Sequence, residues 1–600
     1  MIFQKLAQRL QRLEETSSRL DMTSQLAELF GQLEKEEIPS ACYLMQGELV
    51  PRYQSLEFNM SDKLTIRAIA QLVAQEDEQT HLPDTNLFNE QDYSLYQQQI
   101  EKKYKQEGDL GLAAQNIIQK VYREKEDTEQ RGQATVDEIH QELIEIAQDE
   151  GEGSQDRKIH ATKQLLARLD PLSVRYVVRV IVGNLRLGFS TMTMLDALSW
   201  AQLQDKTDRK RLEAAYNKKA DIGSLAQGYL ACQSESEIEQ FLDDYEVEVG
   251  IPVVPALCQR LNTAQEIIEK MNLVIAEPKY DGLRAQIHID KSKDPNYQVY
   301  TRNMDNVTHM FPELKQAVQH LDCEQCILDA EAIAYDKKTG KLLSFQKTIT
   351  RKRKHGIVNQ AETVPIKFYV FDILLKDQTS LVSHTLDKRK QVLSQVIADN
   401  TILKTTDYIE TDDPVELKKF HHQQLELGLE GAVIKRTDSK YKGGRKGWRW
   451  VKIKEVEGKQ GKLSDTLDCI VMGYYRGKGK RAQFGIGAFL VGVIDQDNQI
   501  KTIAKIGTGL TDEQFKKIKN MADEKKSEHK PDQYDVPEDL YPDVWVYPEI
   551  VAEIAADELT DSPLHSAGQA LRFPRLVGFR SDKDWDQATT VEELEQIEVS

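Results

Sequence analysis

The sequence predicts a multidomain chain: an all-α N-terminal region, a central α+β domain and a C-terminal β-rich domain closed as a barrel. Three observations predict it. The chain has 600 residues, several times the roughly 100–200 of an ordinary domain. Apolar residues recur at helical spacing to about residue 245 and alternate from about residue 250 onward. A charged, glycine-containing segment at 455–464 then separates the second part from further short alternating runs. The expected boundaries are 1–245, 246–457 and 458–600.

The helical part opens with Ile2, Phe3, Leu6, Leu10 and Leu13 near one face, a stripe better suited to a bundle than to an external partner. Its most apolar stretch, 165–198, carries Asp170-Pro171 as a helix start and Gly183-Asn184 as a stop. Ahead of it, the Gly/Ser/acidic turn at 148–155 (QDEGEGSQ) runs into Asp156, Arg157 and Lys158. Backbone amides and a basic end meet there, either to receive a phosphate or simply as a polar loop. After Gly250-Ile251-Pro252 the pattern gives strands at 285–289, 298–301, 326–335, 367–375 and 431–435, with helices at 312–320, 386–397 and 414–427. Beyond the basic run ending at Lys454, strands are expected at 468–475, 488–494 and 546–554.

With 79 Lys+Arg against 98 Asp+Glu the net charge is −19, so generic basic attraction is excluded and any polyanion must be held by local clusters. Such clusters exist. Between Lys435 and Lys454 stand nine Lys/Arg (435, 436, 440, 442, 445, 446, 449, 452, 454) against Asp438, and 347–354 and 476–481 are similarly basic. No run approaches the roughly 18 apolar residues of a membrane helix, and charges interrupt 1–15 too often for a signal peptide, so a cytoplasmic protein is expected. Of six cysteines only Cys323 and Cys326 share C-x-x-C spacing. Without a second pair to complete a zinc tetrad, two ordinary cysteines at a strand start are favoured over a metal or redox site.

The most informative segment is 277–284, EPKYDGLR, between an apolar strand (273–276) and an alternating one. A turn begun by Pro278 fixes Lys279 and leaves it approachable. A catalytic lysine needs its neutral amine favoured by cations, a metal or desolvation. Taken alone, Lys279 and Asp281 also fit a surface ion pair in a turn, Phe371 fits a core aromatic, and Glu331 and Glu430 fit solvated carboxylates.

Downstream come TRN at 301–303, LDAEAIAY at 328–335, FYVFDILL at 368–375, EGAVIKR at 430–436 and WVKIK at 450–454. In this order the series resembles the ATP-dependent DNA ligases, members of the nucleotidyltransferase superfamily that also contains RNA ligases and mRNA capping enzymes. The likeness extends outward. GDLG at 108–111, GEGS at 151–154 and the 165–198 helices are similar to the DNA-binding domain of the replicative, archaeal/eukaryotic-like type, and LRFPRLVGFRSDK at 571–583 is similar to the last motif of its OB-fold.

The resemblance implies that Lys279 attacks the α-phosphorus of ATP and carries AMP as a phosphoramidate. By the same likeness Glu277 contacts the adenine side, Arg284 and Arg302 meet ribose and phosphate oxygens, and Phe371 stacks on adenine. Lys452 and Lys454 reach the α-phosphate, and Arg580 and Lys583, with Asp582, approach the β- and γ-phosphates. Glu331 and Glu430 hold Mg²⁺, with ribose hydroxyls as the alternative for Glu331. One position departs from the family pattern. Lys446 stands where an arginine is usual, with Arg445 beside it, and a lysine there lacks the bidentate fork.

The implied activity is sealing of 5′-phosphate/3′-hydroxyl nicks in duplex DNA through lysyl-AMP and DNA-adenylate, in replication, repair and recombination, by a monomer using ATP and Mg²⁺. Nicked double-stranded DNA is the partner, a sliding clamp is a candidate second one, and no membrane is involved. An RNA ligase or capping-type enzyme is the alternative, disfavoured by the long helical N-terminal region. A non-catalytic nucleic-acid scaffold is disfavoured by the intact set Lys279, Glu331, Glu430 and Lys452, and an NAD⁺-dependent ligase by the missing paired cysteines of a zinc finger.

Overall fold

The computed structural model describes residues 1–16, 18–81, 90–123, 131–185, 187–343, 347–348, 351, 364–397, 400–454, 466–477, 481 and 484–594. The expected linker at 455–464 and much of the basic runs at 347–354 and 476–481 lie outside them. Met1–Ile453 forms one compact unit and Lys454–Ser600 another. Among the described residues no helix is long and apolar enough to cross a membrane.

Helices fill the first part, from Phe3–Glu15 to Glu235–Asp243. The Asp170-Pro171 signal works as its chemistry requires. The Asp170 carboxylate accepts from the amides of Leu172 and Ser173 at 3.0 and 3.2 Å, and Pro171 opens the helix Pro171–Ile181. The GDLG segment is part of the bundle's own packing. A Cβ on Gly111 would strike the carbonyl oxygen of Arg175 on the crossing helix. Asp109 pairs with the buried Arg179, which also reaches Glu14 at 2.7 Å. The two residues of the basic end at 157–158 differ, Arg157 staying exposed and Lys158 being buried. Arg157 grips Asp149 at 2.6 Å, and buried Lys158 donates to the carbonyls of Phe58 and Ala147.

The α+β part is built on two sheets. One runs in the order Gln259–Arg260, Trp450–Lys454, Gly431–Arg436, Val274–Pro278, Ile409–Thr411. The other runs Tyr297–Tyr300, Leu283–Asp290, Gln325–Ala334, Ile366–Lys376, Thr379–Ser380, with Leu403–Thr405 also pairing with Ile366–Lys376. Alternating burial along Ile366–Lys376 sends Phe368 and Val370 into the core and leaves Tyr369 and Phe371 on the opposite face. The expected helix at 312–320 shrinks to Leu314–Ala317 followed by a 3₁₀ turn at Val318–His320.

In the C-terminal unit the strand order is Lys526–Ser527, Val544–Val546, Leu467–Tyr475, Ala488–Ile494, Ile500–Ile506, Tyr534–Asp535, and Val551–Ala555 bridges Leu467–Tyr475 to Arg575–Phe579. Phe489, Val491, Ile503, Phe515 and Ile518 pack its core. The expected strand at 546–554 is broken into Val544–Val546 and Val551–Ala555, with Pro548, which has no amide to give a ladder, between them. Helix Asp512–Glu524, outside the sequence expectation, starts at a Thr511/Gln514 capping box. The unit is β-rich as expected, its hydrogen-bonded path branching at Leu467–Tyr475, where Val551–Ala555 leads to Arg575–Phe579.

Candidate active site

The two central sheets enclose a cavity of about 420 Å³, a volume suited to a small-molecule ligand. Lys279 lies just past the strand Val274–Pro278, so the strand, more than the turn beyond it, fixes its place. Its amide donates to Gly431 at 2.9 Å, and the amide of Glu430 donates back to the Lys279 carbonyl at 3.2 Å. This continues the antiparallel register in which Glu277 faces Val433 and Pro278 faces Ala432. The ladder thereby brings the Lys279 ammonium to 2.5 Å from Glu430 Oε2.

Across the cavity, Leu283–Asp290 and Gln325–Ala334 pair so that Arg284 faces Glu331. Gly282 is required at their approach, because a Cβ there would fall 2.6 Å from the Ala332 carbonyl oxygen and 2.9 Å from Glu331 Cγ. Glu277, Lys279, Arg284, Arg302, Glu331, Phe371 and Lys452 all line the cavity. Phe371 presents its ring edge-on to Trp450 at 5.9 Å, with the Arg284 guanidinium 5.4 Å from its centroid. Tyr280 and Tyr369 stack at 4.3 Å beside them.

The charges are arranged in two groups. Burial pushes the Glu331 carboxyl up to about 7 against the pull of Lys279 and Arg284, with a smaller upward push from Asp329 and Glu430. Burial also raises the Cys258 thiol at the cavity wall, although Arg284, Lys435, Lys279 and Lys452 all pull the other way. Four cations therefore act on the cavity wall at Cys258, three of them already paired with carboxylates: Lys279 with Glu430, Arg284 with Asp329 and Lys435 with Glu277. Glu331 and Glu430, facing Lys279 from both sheets, form an acidic pair that a divalent cation would relieve. Among the described residues no group of three or more His, Cys, Asp or Glu converges, so water and phosphate oxygens would have to complete such an ion's shell.

Several expected contacts take a different form. Arg284 lines the cavity, but its fork is committed to Asp329, at 2.9 Å through Nε and 2.5 Å through Nη2, and Nη1 donates to the Ala256 carbonyl at 2.6 Å. Asp329, fully buried, also accepts from Tyr441 at 2.9 Å. Arg284 is thus a braced part of the cavity wall. Both Glu277 oxygens are occupied: Lys435 sits 2.6 Å from Oε2, Thr406 donates to Oε1 at 3.1 Å, and Lys390 also bonds Oε1. Burial alone would raise Glu277, but the two lysines outweigh it and hold the carboxyl below its ordinary value.

Lys446 corrects the expectation at its position. It does not line the cavity; its ammonium lies 2.5 Å from Glu213 of the helical part, and Arg445 lines the cavity in its place. The basic cluster is likewise thinner than its residue list suggests, since Lys435 is buried and Arg436 is paired with Asp438 at 2.7 Å, while Lys440, Lys442 and Arg445 remain exposed. Strand Trp450–Lys454 carries Lys454, whose side chain lies outside the described residues. In the C-terminal unit Arg580 and Lys583 share Asp468, at 3.2 and 2.6 Å, and Arg580 also holds Asp582 at 2.8 Å. Sequence reading missed Asp329, Lys390, Thr406 and Tyr441. Only Asp329 left a signal, two residues before Glu331 and so on the same strand face.

Comparison with known proteins gives three family matches in chain order: "DNA ligase N terminus" over residues 2–199, "ATP dependent DNA ligase domain" over 255–454 and "ATP dependent DNA ligase C terminal region" over 482–583. The chain is 39% identical to a "Probable DNA ligase" of Dictyoglomus turgidum, covering 99% of this chain and 97% of that one. It is 35% identical to "DNA ligase 2" of Thermofilum pendens (98% and 96% covered) and 34% to "DNA ligase" of Pyrobaculum arsenaticum (100% and 98%). A solved structure described as "Pmar-Lig_PreS3" shares the fold with a TM-score of 0.54 at 15% identity, over 96% of this chain and 99% of that one.

Proposed function

The chain belongs to the ATP-dependent DNA ligase family, and from that premise we propose which of its residues carry out each part of the reaction. Members of this family seal nicks through an adenylate intermediate, and that is the activity of this chain. The observation that carries the residue assignment is the placement of the Lys279 ammonium 2.5 Å from Glu430, in a cavity that Phe371 also lines.

Lys279 Nζ attacks the α-phosphorus, a P–N bond forms as the bond to pyrophosphate breaks, and Glu430 is the acceptor in reach for the proton that Nζ sheds. AMP then passes to the 5′-phosphate of the nick, and the 3′-hydroxyl displaces it. Phe371 supplies the ring for adenine, Glu277 is aimed at the base edge by its two lysines, and Arg302, Arg445 and Lys452 meet phosphate and ribose oxygens. Glu331 and Glu430 are the residues that would hold Mg²⁺, whose contribution is to offset phosphate charge. Arg580 and Lys583 are assigned as further phosphate ligands, Lys454 as a neighbour of Lys452. We assign 1–245 to duplex binding, 246–457 to adenylation and 458–600 to an OB-fold, acting on nicked duplex DNA in the cytoplasm.

The test is incubation with ATP radiolabelled at the α-phosphorus and Mg²⁺, denaturing electrophoresis, and a chase with nicked duplex. Acid-labile label on the wild type, absent from Lys279→Ala and discharged as nicks close, is the expected result. Undiminished label on Lys279→Ala would overturn the assignment of the nucleophile.

A further inference from the structure

Cys323 and Cys326 take no part in the chemistry above, yet their sulfurs lie 3.1 Å apart in the reduced chain. We propose that they form a dithiol–disulfide site that exchanges with low-molecular-weight disulfides such as oxidised glutathione. A disulfide needs about 2.05 Å between sulfurs, so closure requires roughly 1 Å of movement.

The backbone supplies the alignment. Cys326 is fixed by strand pairing on both sides, to Ile289 and to Lys376. The loop before it is pinned by the Asp322 amide on the Val396 carbonyl at 3.1 Å and by the amides of Glu324 and Gln325 on Asp377 Oδ1 at 2.8 and 3.2 Å. Two side chains on so constrained a segment meet at an effective concentration that a free thiol in solution does not reach. The pair is also ordered: Cys323 keeps 8% of its surface exposed and Cys326 none. Contact with the Cys326 thiol holds Cys323 below the usual thiol range, helped by Lys291 and Lys376, whereas burial pushes Cys326 up. The outer thiol is therefore the attacking one. A metal reading lacks ligands, since among the described residues no third His, Cys, Asp or Glu joins the pair and two thiolates alone do not complete a zinc tetrad.

The exchange balances without any other reagent. The Cys323 thiolate attacks one sulfur of the oxidised glutathione, the disulfide breaks, and the first glutathione leaves as a thiolate and is protonated. Cys326 then gives up its proton and attacks Cys323 Sγ, releasing the second glutathione. The protein dithiol loses two electrons and two protons, and the small disulfide is reduced to two thiols.

The experiment equilibrates the full chain in glutathione buffers from fully reduced to fully oxidised, quenches with acid, alkylates free thiols and maps the cysteines by mass spectrometry. The peptide holding Cys323 and Cys326 is expected to lose two hydrogens and resist alkylation at the oxidised end, reversibly, while Cys42, Cys232, Cys258 and Cys469 stay alkylatable as internal controls. Cys326→Ser should retain one glutathione on Cys323, because the resolving thiol is gone. Two thiols that remain alkylatable at every ratio in the folded chain, or glutathione that accumulates on wild-type Cys323 without an internal bond, would overturn the proposal.

Discussion

Replacing Glu331 by Gln is expected to stabilise the folded chain at alkaline pH. In the folded protein burial pushes this carboxyl up from an ordinary 4.5 to about 7, so the folded state binds its proton more tightly than the unfolded chain does. The stability drawn from that proton is full below pH 4.5, where both states are protonated, and is lost as pH rises through 7. A rise of this size corresponds to about 3 kcal/mol, most of it lost between roughly pH 5 and pH 8. Gln imitates the protonated form and has no charge to bury, so the variant keeps what the wild type loses. Urea denaturation at pH 5, 6, 7 and 8, without Mg²⁺ or nucleotide, should show wild type and variant diverging by about 2–3 kcal/mol across that range, with the variant the more stable at pH 8. A difference that stays constant with pH, or a variant less stable at pH 8, would refute the reasoning. The same substitution should abolish most self-adenylation, so the site holds a charge the fold would be more stable without.

Three further outcomes follow from the geometry. Arg389→Met leaves Asp372, fully buried and gripped by Arg389 at 2.7 and 2.9 Å, as an unpaired charge. It should cost about 3–5 kcal/mol in urea denaturation, with much of the loss recovered in the double variant Arg389→Met/Asp372→Leu. Lys435→Met removes the 2.6 Å partner of Glu277 Oε2; losing a charged hydrogen bond of about 1.5–3 kcal/mol should raise the ATP concentration for half-maximal adenylation about tenfold or more. Arg445→Ala should slow self-adenylation about tenfold, whereas Lys446→Ala, which touches Glu213 and not the cavity, should stay within about twofold, a contrast read by initial-rate labelling.

Local signals made much of this fold legible. Asp170-Pro171 announced a helix start that its carboxylate does cap, and alternation located the strands carrying Glu331 and Phe371. The ordered motifs, through the family resemblance they carry, also identified residues that line one cavity. What stayed hidden was partnership across the chain. Nothing in the sequence around Arg284 shows that Asp329 and Ala256 occupy its donors, and Glu277 meets Lys390 and Thr406 only because separate elements fold against it. At 445–446 the residue types already set Arg445 and Lys446 apart, but motif alignment pointed to 446, and only the folded backbone shows that Arg445 lines the cavity while Lys446 reaches Glu213.

The pairing of Val274–Pro278 with Gly431–Arg436 also sets an order of events during synthesis. Lys279 leaves the ribosome about 150 residues before Glu430, so a growing chain carries the nucleophile for some time without the strand that positions it. Long-range antiparallel pairing of this kind forms late. Competence for adenylation therefore arrives with completion of the central fold. A chain truncated before 430 would bear the conspicuous lysine motif and remain inert, which makes covalent labelling by ATP a report on the integrity of the whole central domain.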